Sequence, residues 1–292
     1  MRLTKTSRRS DSLVMGAVAY DQKVVTIWDG FQQYFRARGL EFDYVLYSNY
    51  ERQVEAHLCG HVQVAWNSPL AWLQVERVAP GLGRRAEAIC MRDTDRDLRS
   101  IILVRADSGI DAIADLKGKM VAVGASDSPQ ATLIPMNYLA EQGLAPYQDF
   151  QVEVCDVLVG KHGDHIGGER EAVRALVRGD ADAACIIDAN HLAFSREGTI
   201  PNAAVKILAQ TPAYDHCNFT ILDDAPAAPV ARFLELLLGM SYADAEVRPL
   251  LDLEGLKQWV PGRVSGYEQL ATAVDRFGTV SLLVQQLQGQ CS

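Results

Sequence analysis

The chain has 292 residues, of which 48% are hydrophobic and 22% are charged, and its net charge is −9. This length exceeds the roughly 100 to 150 residues of a common domain, so we expect two lobes. The composition is ordinary for a globular protein and excludes a fibrous or disordered class. The negative charge argues against a standing nucleic-acid partner. Since no apolar run approaches the roughly 18 residues of a membrane span, we expect no membrane insertion.

The N-terminus and the cysteines bear on where the protein works. Residues 1–11 are basic and polar, and the apolar stretch 13–20 is interrupted by Gly16 and lacks a small-residue cleavage site, so it does not resemble a secretion signal. The six cysteines are scattered without CxxC spacing, a pattern typical of free thiols in a reducing compartment. We therefore expect a cytoplasmic protein as the sequence stands, or a periplasmic one if the native start differs.

Alternating strands and helices fill the first third of the chain. The apolar periodicity changes repeatedly between that of a strand and that of a helix. Such βαβ alternation predicts a parallel sheet that helices cover on both faces. The predicted strands are 13–19, 42–47, 62–66, 86–91 and 100–104, and the predicted helices are 24–38, 50–58 and 70–78.

The pattern restarts after residues 107–109. Ser128 is a good N-cap with Pro129 at the first helical position, and the apolar stripe that follows ends at Gly143. The remaining strands are predicted at 152–159, 181–187 and 205–208, and the remaining helices at 169–177, 228–240, 243–251 and 267–277.

Two short crossings divide the predicted elements into lobes. Proline and glycine are spread thinly, so we find no flexible linker, and crossings near Arg105 and Gln210 are the candidate hinge. The predicted first lobe is discontinuous and comprises residues 1–104 and 210–292, and the second comprises residues 105–209.

One segment, a helix end followed by a glycine and a strand of small residues, occurs twice. Gly60 in the first copy corresponds to Gly179 in the second, and both suit the left-handed position that ends a helix. The first strand leads into Asn67-Ser68 and the second into Asp188. Because ligands in open α/β sheets bind beyond the carboxyl ends of strands, we expect Asn67 and Asp188 to face each other across one cleft.

Several motifs follow one another in an order found in one protein family. They are Tyr47-Ser-Asn-Tyr50, Gly60-x5-Trp66-Asn-Ser-Pro69, Asp115-Leu-Lys-Gly-Lys-Met-Val-Ala-Val-Gly124, Ser126 to Pro135 and Gly179-Asp-Ala-Asp-Ala. Through them, roughly residues 13–280 resemble the phosphonate- and phosphite-binding family of type 2 periplasmic solute-binding proteins. The resemblance implies a Venus flytrap, an α/β fold of two lobes that traps a small molecule as two hinge crossings close. It also implies an ABC transporter permease as partner if the protein is exported.

Two segments depart from that family. The family presents a Ser-Thr-Ser run that holds an oxyanion, whereas this chain has Ser128-Pro129-Gln130, in which Pro129 removes one backbone donor. The family's short Ser-His-Asp turn is replaced by the longer loop 160–168. The predicted solute is therefore a small polar or anionic molecule. It could resemble a phosphonate or phosphate, or it could be a carboxylate.

Ligand contacts are predicted at strand ends, at one helix start and in this loop. The helix after Ser128 offers backbone N–H groups at the positive end of its dipole, an anion site that needs no cationic side chain, unless Ser128 merely caps its own helix. The imidazoles of the loop change charge near neutral pH and can reach across a cleft. The predicted ligand-binding residues are Tyr20, Asn67, Ser68, Ser126, Ser128, Gln130, His162, His165 and Asp188.

A cytosolic enzyme built on the same fold is the alternative function. Its acid/base set would be His162, Asp164, His165 and His216, with Lys161 as an imine-forming amine. We predict no cofactor. A divalent metal bound by His162 and His165 is an open alternative. Another is that this loop is a solvated segment that binds nothing. We favour binding without chemistry, because no GxGxxG, GxSxG or GxxxxGK[ST] motif occurs.

The segment 214–219 is expected to face the cleft as well. In an extended chain His216 and Cys217 would point to opposite faces. We therefore expect that they do not bind one ion together, and that Cys217 has a structural role.

Overall fold

The fold is seen in a computed structural model that describes residues 12–164 and 166–279. Its strands are β1 (Ser12–Val18), β2 (Glu41–Tyr47), β3 (Val64–Asn67), β4 (Ala86–Arg92), β5 (Ser100–Arg105), β6 (Met120–Val123), β7 (Gln151–Val154), β8 (Ala183–Ile187), β9 (Val205–Gln210), β10 (Asn218–Leu222) and β11 (Trp259–Pro261). Its helices are α1 (Lys23–Ala37), α2 (Tyr50–Leu58), α3 (Pro69–Val78), α4 (Ile134–Glu141), α5 (Gly167–Arg178), α6 (Asp188–Glu197), α7 (Ala227–Leu238), α8 (Arg248–Glu254) and α9 (Glu268–Phe277). None of these helices combines the length and the apolar character that crossing a membrane requires.

The first lobe is a six-stranded sheet in the order β11-β4-β10-β3-β1-β2. Strands β2, β1 and β3 run parallel, as the βαβ alternation predicts. Strand β10 returns from the far end of the sequence and pairs antiparallel with both β3 and β4. Residues near both ends of the described range, such as Leu13 and Trp259, therefore share one hydrophobic core.

The second lobe is a five-stranded sheet in the order β7-β6-β8-β5-β9. Strand β5 lies antiparallel between β8 and β9, with Ile102 opposite Cys185 and Ala209. Residues 100–104, which we assigned to the first lobe, thus pair within the second. The crossings lie at 93–99 and 211–217. The strand at 100–104 was assigned to the wrong lobe because an apolar pattern shows that a strand exists but not which sheet it joins.

The glycine punctuation has the predicted backbone. Gly60 has φ of 73° and Gly179 has φ of 86°, the left-handed region in which a side chain would be strained. Helix α6 was missed, because Phe194 is its one buried residue and the sequence lacks an apolar stripe. Helix α8 begins at Arg248, five residues later than predicted, since the Asp244 carboxylate instead accepts the N–H of Glu246 in a turn.

Aromatic side chains fill the core between β10 and the helices of the first lobe. Phe219 is fully buried, and its ring centroid lies 4.6 Å from that of Trp66, 5.1 Å from that of Phe233 and 5.2 Å from that of Trp259. Rings at these separations gain more than their buried area alone supplies. Phe219 thus joins the returning strand to the N-terminal half of the sheet.

Replacing Phe219 with alanine should lower the free energy of unfolding by about 3 to 5 kcal/mol, the usual cost of removing a buried phenylalanine ring. Urea denaturation of the wild type and the variant measures this difference. Val45→Ala is the control, because Val45 is 40% exposed in the same sheet and should cost well under 1 kcal/mol. Equal losses in the two variants would contradict a core centred on Phe219.

Candidate functional site

A loop of the second lobe, between β7 and α5, inserts a histidine into the first lobe. His162 is fully buried; its Nδ1 lies 2.6 Å from Ser68 Oγ and its Nε2 lies 3.1 Å from Glu51 Oε1. Its ring stacks on that of Tyr50 at a centroid distance of 4.7 Å. Because Ser68 Oγ accepts the N–H of Ala71, the hydroxyl can donate to Nδ1 while Nε2–H donates to Glu51. The imidazole therefore has a partner at each nitrogen.

The residues before His162 extend the contact with the first lobe. The carbonyl of Gly160 accepts the backbone N–H of Tyr50 at 3.0 Å. The Lys161 ammonium donates to the carbonyl of Ala19 at 2.7 Å and to the carbonyl of Ser48. Burial lowers the pKa of Lys161, but the amine is engaged by two backbone acceptors rather than presented to a cavity.

The second lobe holds the other side of the same loop. The Asp127 carboxylate accepts the N–H groups of Gly160 and His162 at 2.5 and 3.3 Å. The side-chain amide of Gln130 donates to the carbonyl of Gly163 at 2.7 Å. The loop, residues 156–164, is thus fastened to both lobes, and we call it the bridging loop.

A cavity of about 290 Å³ lies between the lobes beside the bridging loop. The first lobe and the second crossing contribute aromatic, charged and thiol groups, and the second lobe contributes amides and carboxyl groups. The lining residues are Tyr20, Lys23, Trp66, Arg92, Thr94, Asp95, Leu98, Gln130, Gly163, Asp164, Glu169, Ile187, Ala189, Asn190, His216 and Cys217.

On the first-lobe side, two carboxylates hold the guanidinium of Arg92. It donates to both oxygens of Asp95, at 2.5 and 2.8 Å, and to the Glu254 carboxylate at 3.2 Å. Burial raises the pKa of Asp95, but the charge and hydrogen bonds of Arg92, together with those of His216, outweigh burial and lower the pKa to about 2. For Glu254 burial prevails and raises the pKa to about 7. Most of the positive charge of Arg92 is therefore already neutralised.

On the second-lobe side, two carboxyl groups reach the cavity. Glu169 accepts the N–H of Ile187 at 3.0 Å and the amide of Asn190 at 2.8 Å, yet burial raises its pKa to about 7. Asp164 accepts the hydroxyl of Tyr50, and burial raises its pKa as well. These groups favour a bound molecule that donates hydrogen bonds.

Of the predicted site residues, four line the cavity. They are Tyr20, Gln130, Asp164 and His216. Tyr20 and Trp66 are the two aromatic residues of the wall. Tyr20 follows the end of β1 and Gln130 lies at a helix start, whereas Asp164 lies in the bridging loop and His216 in the second crossing.

The other predicted ligand contacts have structural partners instead. Asn67 accepts from Gln53 and donates to Thr220, and Ser68 caps α3. Ser128 caps the helical turn that precedes α4 and is covered by Gly163, so the capping alternative describes its place.

The two remaining strand-end candidates lie outside the cavity wall. Ser126 is exposed, and Asp188 is half-buried beside the lining residues Ile187 and Ala189. Asn67 and Asp188 therefore do not face each other directly. The strand ends do meet at the cleft, but through their neighbours.

The bridging loop differs most from its prediction. His162 does not line the cavity, because both of its nitrogens are bonded within the protein. The predicted acid/base and metal roles of His162 are for this reason not supported, and neither is imine formation by Lys161. His165 lies outside the described residues.

Sequence reasoning missed part of the cavity wall. Arg92 ends β4, and Thr94 and Asp95 follow it, so the strand-end rule could have found them. Glu169 carries no signal, because it lies in an ordinary first helical turn. His216 Nδ1 and Cys217 Sγ are 3.1 Å apart, against our expectation, since these residues precede β10, which begins only at Asn218.

The family model described as the periplasmic substrate-binding protein of the phosphonate ABC transporter matches residues 15–267 of this chain. That span includes both sheets, both crossings and every residue of the cavity wall. The family resemblance that the sequence motifs indicate is thereby confirmed.

Solved structures of similar fold extend this result. PhnD1 of Prochlorococcus marinus in complex with methylphosphonate has a TM-score of 0.68 at 15% identity, covering 92% of this chain and 99% of that one. XAC2383 of Xanthomonas citri bound to ATP has a TM-score of 0.67 at 16% identity, covering 97% and 100%. The aliphatic sulphonate binding protein SsuA of Escherichia coli has a TM-score of 0.59 at 18% identity, covering 93% and 88%. At these identities they confirm the two-lobed type 2 periplasmic-binding-protein fold.

Gly163→Ala should detach the bridging loop. Gly163 has φ of 73°, and an added Cβ would collide with Ser128 Oγ and lie 2.7 Å from Gln130 Nε2. We expect a larger radius of gyration in small-angle X-ray scattering as the lobes separate. The control is Gly198→Ala, where φ is 85° but nothing lies within 4 Å of the added atom. An unchanged radius in Gly163→Ala would refute the fastening role of the loop.

Glu169 should make stability depend on pH. The pKa of Glu169 rises from 4.5 to about 7 on folding. The stability that its protonated carboxyl contributes is therefore complete below pH 4.5 and is lost as pH rises to about 7. The free energy of unfolding falls by about 3 kcal/mol over this range. Glu169→Gln should remove this part of the pH profile of unfolding. Glu171→Gln, on the same helix but with a 41% exposed side chain, should leave the profile intact. A wild-type slope retained in Glu169→Gln would contradict the assignment.

Proposed function

We propose that this chain captures one small solute with an acidic head group between its lobes. The reason is that the chain belongs to the periplasmic substrate-binding protein family of phosphonate ABC transporters. The cavity between the sheets carries this proposal. Its volume of about 290 Å³ is at the lower end of the volumes of ordinary ligand pockets, so it suits a small molecule. Phosphonates, sulfonates and phosphate are the head groups we propose.

Neutral donors supply the contacts that we propose for the head group. Arg92 is neutralised by Asp95 and Glu254, and Lys23 lies exposed at the rim. Tyr20 and Gln130 line the cavity from opposite lobes, and we propose that the Tyr20 hydroxyl and the second amide hydrogen of Gln130 donate to the head group. A head group held by both would draw the lobes together, which is how a Venus flytrap retains its ligand.

The buried carboxyl groups restrict the rest of the solute. Asp164 and Glu169 both line the cavity and are both easier to protonate than ordinary carboxylates. An ionised carboxylate at either position would repel an anion beside it, whereas a protonated carboxyl would not. We therefore propose that the acidic head group binds with both carboxyl groups protonated, and that a hydroxyl or ammonium group on the solute would add a donor for them.

The compartment and the transporter partner belong to the same proposal. The family description supports a periplasmic location and delivery to an ABC transporter permease.

Isothermal titration with methylphosphonate, an alkylsulfonate and inorganic phosphate tests the proposal. Tyr20→Phe should weaken binding of the preferred anion about 10-fold, the effect of losing one hydrogen bond to a charged group. Tyr138→Phe is the control, since Tyr138 is similarly half-buried but outside the cavity wall. No heat of binding with any of these anions, or equal affinities in wild type and Tyr20→Phe, would overturn the proposed head-group site.

A further inference from the structure

Three different metal-binding side chains meet in the cavity wall, apart from the donors proposed for the solute. Asp95, His216 and Cys217 are 1%, 8% and 2% exposed. One potential ligand atom from each lies within 4.8 Å of the other two. Their chemistry differs, because a carboxylate, an imidazole and a thiol are together the donor types that zinc binds in proteins.

The distances between these atoms suit coordination to one ion. His216 Nδ1 lies 3.1 Å from Cys217 Sγ and 3.6 Å from Asp95 Oδ1. Ligands of a tetrahedral zinc ion, with bonds of about 2.0 to 2.3 Å, are separated from one another by about 3.3 to 3.6 Å. Two of the three separations are therefore close to those of a tetrahedral site, and the third, between Asp95 and Cys217, is no more than 4.8 Å.

Neighbouring groups hold the three side chains in place. The His216 backbone N–H donates to the Asp95 carbonyl at 2.8 Å, and the Tyr267 hydroxyl donates to the His216 carbonyl at 2.7 Å. Arg92 orients the Asp95 carboxylate with two hydrogen bonds. Each carboxylate oxygen retains a further lone pair, so this arginine supports the ligand without blocking it.

One nitrogen of the cluster has no partner among the residues that the structure describes. Within that part of the chain, His216 Nε2 is buried without a hydrogen bond, and His216 lines the cavity. Buried polar atoms are normally satisfied, so an orphaned one indicates an absent molecule or ion. Coordination through Nδ1 would fix Nε2 as an N–H donor toward whatever fills the cavity.

A fourth ligand is at hand on the bridging loop. Asp164 Oδ1 lies 3.9 Å from Cys217 Sγ. Asp164 comes from the second lobe, whereas the other three residues lie in the two crossings, next to β4 and β10 of the first lobe. An ion bound to all four would connect the lobes directly.

We propose that Asp95, His216 and Cys217 bind a divalent transition metal of the zinc class, with Asp164 as the fourth ligand that couples the metal to lobe closure. The metal replaces the thiol proton of Cys217, which passes to solvent. Its charge offsets the carboxylates that surround Arg92. This site does not depend on the identity of the solute.

Titration of chelator-treated, tag-free protein with cobalt(II) alone tests the site. Cobalt in such a site should bind at one equivalent and show the intense near-ultraviolet absorption of a cobalt–thiolate bond. Zinc should displace it. Cys217→Ser should abolish this absorption. It should also weaken metal binding on the order of 100-fold or more, because it removes a ligand of the metal and not merely a group that supports a ligand. Cys155→Ser, a half-buried free thiol of the second lobe, should retain both.

The wild-type spectrum decides the proposal even if a variant folds poorly. Absence of the thiolate absorption at one equivalent of cobalt, or its persistence in folded Cys217→Ser, would overturn the site. Cobalt should make the wild-type protein more compact in small-angle scattering, because the metal would connect the lobes. Asp164→Asn should abolish this compaction and weaken metal binding about 10-fold. Unchanged affinity and compaction in Asp164→Asn would overturn the coupling to closure.

Discussion

The burial of His162 between the lobes is the contact on which the arrangement of the cleft depends. An imidazole from the second lobe lies on Ser68, Glu51 and Tyr50 of the first. A buried imidazole is costly unless both nitrogens are bonded, and here both are. The stacked ring and the two hydrogen bonds are lost together if the lobes separate. Contact between the lobes thus depends in part on a side chain that does not line the cavity.

The same loop determines the chemistry of the cavity. With His162 in place, Gly163 packs on the helical turn at Ser128 and Asp164 points its carboxylate toward Tyr50 and Cys217. The start of that turn, an obvious anion site by sequence, is therefore covered by protein. The polar groups left to a solute are Tyr20, Gln130 and the groups around Glu169.

Several site residues were predictable because their signals are local. Tyr20 and Gln130 follow a strand end and a helix cap, and such positions face the cleft in any fold of this class. Arg92 and Asp95 follow the same rule, which we did not apply at β4. His216 and Cys217 were misjudged because the rule of alternating faces holds only in a strand, and the crossing before β10 is irregular. Glu169 owes its place to α5 docking against β8.

From the sequence alone follow the βαβ alternation, the two lobes, the glycine-ended helices at Gly60 and Gly179 and the family resemblance. These depend on periodicity and on backbone preferences, which act over a few residues. Only the tertiary structure decided that β5 joins the second sheet, that β10 returns to the first and that the bridging loop spans the cleft. Those outcomes rest on pairing and burial between residues far apart in the chain. No local pattern records that His162 meets Ser68, since their contact exists only once both lobes have formed and come together.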